Sequence, residues 1–370
     1  TGDNNTALGV NALGVADASY NTGVGFAALG ANTTGAENTA IGNAALGANT
    51  TAGYNVAVGK EALENNTTGE QNVSVGWKAL EANTTANYNT AVGTEALKVN
   101  TTGASNTALG RAALTANTTA SNNTSVGAYS LGANTTGASN VAVGNNALGA
   151  NTTASGNTAV GKGALVANTT ASDNTAVGKD AMQDNTTGHS NVAVGQNALA
   201  DNTDADQNVA IGYKALRLNT TASGNTAVGH QAGSSNVTNT GCTLVGYLAG
   251  ATATANNLTG VGYNVLQANT TGGQNTAVGT YALDANTTGG ENTAVGYLAL
   301  SANTTGYSNT AVGKDGLTTN TTGAGNVAIG ENSLQANTTA SANTAVGMNA
   351  GHDNTDGYEN TAVGYESFCN

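Results

Sequence analysis

Residues able to do chemistry are few in this chain and widely spread. The three histidines, His189, His230 and His352, stand far apart, so no two have the spacing of a metal site or an acid–base couple. Carboxylates such as Glu61, Glu95, Asp180 and Asp315 recur singly, without the fixed aspartate spacing of calcium-binding solenoids. Gly23-Val24-Gly25-Phe26-Ala27-Ala28 matches a dinucleotide fingerprint in letters only, and the Gly-Lys pairs at Gly59, Gly161 and Gly178 lack the following Ser or Thr of a phosphate loop. These residues predict no catalytic centre, no metal and no cofactor.

Two surface features remain. Asn32, Asn49, Asn66, Asn83, Asn100, Asn117, Asn134, Asn151, Asn168, Asn185, Asn219, Asn236, Asn269, Asn286, Asn303, Asn320 and Asn337 each begin an Asn-x-Thr sequon, the acceptor pattern for Asn-linked sugar in a loop. The neighbouring Thr offers a second attachment point. The competing reading is that Asn and Thr bond their own turn backbone and stack between equivalent turns. Aromatic side chains form the second feature: Trp77, Tyr129, Tyr213, Tyr247, Tyr263, Tyr281 and Tyr297 recur at related positions and are candidates for gripping sugar faces, or else for packing over turns.

The positioning element is a repeat. Units of seventeen residues begin at Asn5, Asn21, Asn38, Asn55 and so on to Asn360, giving 22 starts on the consensus NTAVGxxALxANTTGxx. Two spacings, from Asn5 to Asn21 and from Cys242 to Leu258, are sixteen. Position five is Gly in all 22 units, which marks a backbone of positive φ or close approach. Position four is always Val, Ile or Leu and position two always Thr or Val. Alternation along a strand sends both to one side, predicted to be the interior, with the small residue of position three facing the other way. Position nine, Leu in 17 units, predicts a second short strand aimed at the same core. Helix, favoured locally by Lys60-Glu61-Ala62-Leu63, has no room between the Asn-rich turns.

The fold predicted is therefore all-β: a parallel β-solenoid, or β-roll, with one coil per repeat and about 22 coils in a single array over residues 1–370. At about 4.8 Å per coil it would make a rod on the order of 100 Å long. Complete absence of proline suits continuous ladders. Asn at position one in 20 units and at position twelve in 19 would stack amides along the axis. The small residues of position three leave a face for another chain to cover, which predicts a parallel homo-oligomer, a trimer in the first instance, or an end-to-end polymer.

Asn55-Val56-Ala57-Val58-Gly59-Lys60-Glu61-Ala62 and its copies resemble the head repeats of trimeric autotransporter adhesins. They are similar also to repeats of bacteriophage tail fibres and bacterial surface fibres. The resemblance covers essentially the whole chain, although the unit is longer than the usual head repeat. It implies a left-handed trimeric β-roll outside the cell, on a cell surface or on a virion, serving attachment or display.

Composition narrows partners further. With a net charge of −13 and nine basic residues there is no basic stripe for nucleic acid, and no apolar run of membrane-spanning length. The chain opens at Thr1-Gly2-Asp3 within the repeat and reads as a section of something longer. Cys242 is expected to be a buried small residue, and Cys369 to be free or to cross-link chains. About seven coil spacings, roughly 34 Å, should part the two, far beyond disulfide reach. Gly233 and Gly250 remove the core Leu from consecutive units, which predicts a bend, a narrowing or a protruding loop across residues 225–258. The function expected is a non-catalytic structural fibre. A carbohydrate-recognising fibre or a glycan-coated filament is the alternative.

Overall fold

The computed structural model describes residues 2–14 and 17–368. Among them the only regular elements are 22 strands of three residues, and there is no helix. The chain forms two compact units, Thr1–Thr187 and Gly188–Asn370. The first carries β1 (Thr6–Leu8) to β11 (Thr175–Val177), and the second β12 (Val192–Val194) to β22 (Thr361–Val363). Within each unit consecutive strands pair in parallel with equivalent residues opposed, as Thr39, Ala40 and Ile41 oppose Val56, Ala57 and Val58. The protein is a parallel β-solenoid with one coil per repeat.

The strand faces are the reverse of the expectation. Position three is buried in every strand but the first, with Ala40, Ala57 and Ala91 at 0% exposure, while positions two and four are half-buried or exposed. Space explains the inversion. Opposite each strand, positions eight and nine fill the narrow interior with Ala and Leu, as Ala62 and Leu63 do. A β-carbon on Gly23, at position three, would already lie 3.2 Å from Leu13 Cγ and from the Ala28 carbonyl oxygen. Only Ala, Ser or Gly fits beside the Leu, so the β-branched pair turns outward. Where Ser replaces Ala, its hydroxyl is satisfied internally: Ser74 Oγ donates to the Ala79 carbonyl at 2.7 Å.

The second strand is replaced by a chain of alternating handedness. Glu61 and Leu63 have φ of 58° and 53°, and the same left-handed values recur at positions seven and nine in coil after coil. A left-handed leucine is uncommon and costs roughly 1–2 kcal/mol, which complete burial of its side chain opposes. Alternation aims successive N–H groups along opposite senses of the stacking direction. Val56, Leu63 and Thr67 donate to carbonyls of the following coil, whereas Gly59, Glu61 and Gln71 donate to the preceding one. Gly59 has φ 136°, and a β-carbon there would stand 2.5 Å from the Gly76 carbonyl oxygen, so both parts of the glycine expectation hold.

Parallel register continues without a break through the irregular coils: Thr226 opposes Thr243, which opposes Thr259. Leu244, buried at position three, lies against the space left by Gly233 and Gly250, its Cδ atoms within 3.1 Å of where their β-carbons would stand. Cys242 is buried, its Sγ 3.3 Å from the Ala255 carbonyl oxygen, and desolvation raises its pKa. Cys369 lies outside the described residues.

Candidate functional site

Two side-chain columns organise the amide chemistry. In the first, Asn55 N–H donates to Asn38 Oδ1 at 3.0 Å, and the same contact repeats up the stack through Asn72, Asn89 and Asn106. In the second, Asn66 Nδ2 donates to Asn49 Oδ1 at 3.2 Å and Asn83 Nδ2 to Asn66 Oδ1 at 2.8 Å. The columns are cross-tied, since the Gly69 carbonyl accepts from Asn55 Nδ2 and Asn66 Nδ2, both at 2.9 Å. Position-thirteen threonines add an outer bond, as Thr67 Oγ1 donates to the Thr84 carbonyl at 3.0 Å. The β-solenoid thus carries its polar groups in the wall, paired to the next coil.

This placement corrects the glycan-acceptor expectation. Asn32, Asn49, Asn66, Asn83, Asn100, Asn117, Asn134, Asn151, Asn168, Asn185, Asn219, Asn269, Asn286, Asn303, Asn320 and Asn337 are 0% exposed, and Asn236 is 2%. The nitrogen that would bear sugar is inside the wall and donates to protein carbonyls, for example Asn134 Nδ2 to Gly137 and Asn337 Nδ2 to Ala340. A sugar on that atom is incompatible with the packing, and the amides stack instead.

Of the aromatic candidates, four share one surface. Tyr213, His230 and Tyr247 stack with centroids 5.1 Å apart at each step, Tyr247 and Tyr263 follow at 5.2 Å, and Tyr281 meets Tyr263 edge-on at 5.5 Å. His230, absent from the aromatic candidates of the sequence, joins this column. Its position, shared with Tyr213 and Tyr247 at position six, was the available signal. Stacking covers both faces of His230 and Tyr247, leaving only ring edges to solvent. Cations shield others: Lys214 Nζ lies 4.9 Å from the Tyr213 ring, the Arg111 guanidinium 4.6 Å from Tyr129, and Lys78 Nζ 5.6 Å from Trp77. Tyr297 is exposed. Sugar stacking needs open ring faces, so this column is poorly shaped for it.

Glu61, Glu64 and Glu81 converge, with one oxygen from each within 4.8 Å of the others. Lys78 supplies the positive charge there, 3.1 Å from Glu61 and 2.8 Å from Glu81. Hydrogen bonds from Lys60 and Lys78 hold the Glu61 carboxyl below its ordinary range, while burial raises that of Glu64. The cluster is a lysine-bridged ion network. No family model matches the chain, and no curated protein is detectably similar to it.

Proposed function

We propose that the chain forms a structural fibre, a non-catalytic shaft for attachment or display outside the cell, on a cell surface or on a virion. The observation that carries this reading is the coil-to-coil wall of paired amides and backbone. Such a wall invests side chains in stacking identical units, not in shaping a pocket. The resemblance to adhesin heads and tail fibres supports the extracellular setting.

The shaft is a parallel homo-oligomer, with a trimer favoured. Its interface is the outward strand face, not the small-residue face. That face consists of Thr, Val, Ile and Leu side chains in half-exposed rows, and none of the 22 strands contains a charged residue. A chain of net charge −13 that leaves one sheet face free of charge has a surface suited to burial against its own copy. Sedimentation equilibrium tests the assembly. A mass near three chains is expected, Val143→Lys with Val160→Lys should lower it toward one chain, and a monomer without substitution refutes the interface.

A further inference from the structure

A different aromatic column, in the first unit, is exposed and makes no ring stack among the described residues. The residue immediately before each position-one Asn runs Tyr20, Glu37, Tyr54, Gln71, Tyr88 over five successive coils. The three tyrosines share one left-handed backbone, with φ of 63°, 61° and 63°, so their side chains leave the same turn in the same direction. Backbone bonds hold that turn in step: Tyr54 N–H donates to the Ala36 carbonyl at 3.1 Å and Tyr88 N–H to Glu70 at 3.2 Å. All three rings are exposed, at 62%, 57% and 57%. A shallow cavity of about 380 Å³ opens at Tyr20 and Glu37.

We propose that this column is a binding track for a neutral, β-linked glucan chain of the cellulose type, lying along the stacking direction. The spacing selects the linkage. Coils are about 4.8 Å apart, so tyrosines on alternate coils stand about 10 Å apart. In a cellulose-type chain successive sugars are turned by half a revolution, and the same pyranose face recurs every second residue, close to that two-coil interval. Each tyrosine meets an equivalent apolar sugar face, while Glu37 and Gln71 on the intervening coils offer acceptors and an amide donor to the hydroxyls between. An α-linked glucan curves and presents no such straight repeat. Charge argues against an anionic chain, since the column contains Glu37 and no Lys or Arg in any coil. The inference is independent of the shaft proposal, which stands whether or not the track binds.

Titration calorimetry of the full chain with cellohexaose and with maltohexaose is the test. Cellohexaose binds and maltohexaose does not. Tyr54→Ala, which removes the central ring, weakens cellohexaose by about tenfold or more. Exchanging the pair as Tyr54→Gln with Gln71→Tyr keeps composition but breaks the two-coil interval, and weakens binding equally. Tyr247→Ala, in the stacked column, changes nothing, and circular dichroism confirms that each variant stays folded. Absence of cellohexaose binding, equal binding of both sugars, or an exchange variant that binds as the parent does would each overturn the proposal.

Discussion

Leu244 stands across the core from Gly250, with its Cδ2 2.8 Å from where a β-carbon on that glycine would lie. One leucine from the strand wall thereby replaces the leucine missing from the opposite turn, at Gly250 and at Gly233 beside it. Leu244→Ala should leave an unfilled hole and cost about 2–5 kcal/mol by chemical denaturation. Adding Gly250→Leu restores the arrangement of the regular coils, because Gly250 already has φ 54° where regular leucines have about 50°. The double variant should recover a large part of the loss. Strict additivity of the two changes would contradict the compensation.

A β-carbon at position five meets backbone, not a yielding side chain. Gly59→Ala should destabilise the first unit by roughly 2–5 kcal/mol, combining an unfavourable φ with overlap on the Gly76 carbonyl. Gly224, at φ 73° with nothing within 4 Å of its would-be β-carbon, provides the control. Gly224→Ala should cost only about 1 kcal/mol. Equal losses would mean that close approach contributes nothing.

The amide columns make a sharper demand. Asn89 donates its N–H to Asn72 and its Nδ2 to the Gly103 carbonyl, both at 2.9 Å, and its Oδ1 accepts from Asn106 N–H at 3.0 Å. Asn89→Ala keeps the backbone bond to Asn72, but it strips the buried Asn106 N–H of its acceptor and takes one of two donors from the Gly103 carbonyl, and should cost about 1–3 kcal/mol. The exposed Asn43→Ala should stay within about 0.5 kcal/mol of the parent.

Repetition made much of this legible. Glycine in every unit and asparagine in two columns forced one coil per repeat, and the strand pairings follow that spacing. Burial was misread because Val and Thr at positions two and four resemble core residues, whereas the decisive quantity was room beside leucines such as Leu63. A clue was present: the large position-three residue Leu244 coincides with Gly233 and Gly250. Left-handed leucines had no signal in residue type, since burial overrides intrinsic preference there. The Tyr213-to-Tyr263 column could be counted from sequence, but whether its rings offered faces or edges depended on side-chain packing.

Burial also predicts covalent chemistry. Secreted from a host that modifies Asn-x-Thr, the folded chain should show no hexose-type increments on Asn134, Asn168 or the other buried ladder amides by intact-mass and peptide analysis. Their nitrogens are hydrogen-bonded inside the wall. Sugar on any of these in folded material would contradict the described wall.

Cys242 should resist iodoacetamide in the native state at neutral pH, because burial both shields the thiol and raises its pKa. Peptide mapping after denaturation should show it fully alkylated. Rapid native labelling would mean that the coil around Ala255 opens readily.

Identical hydrogen-bonding surfaces on successive coils carry an evolutionary corollary. Loss or duplication of one whole repeat inside a unit leaves the flanking coils with matching donors, acceptors and register. Gain or loss of a whole repeat can therefore change the stack in steps of about 4.8 Å while every remaining coil keeps its partners. Lineages could shorten or extend the structure by recombination alone, with no point substitution to compensate.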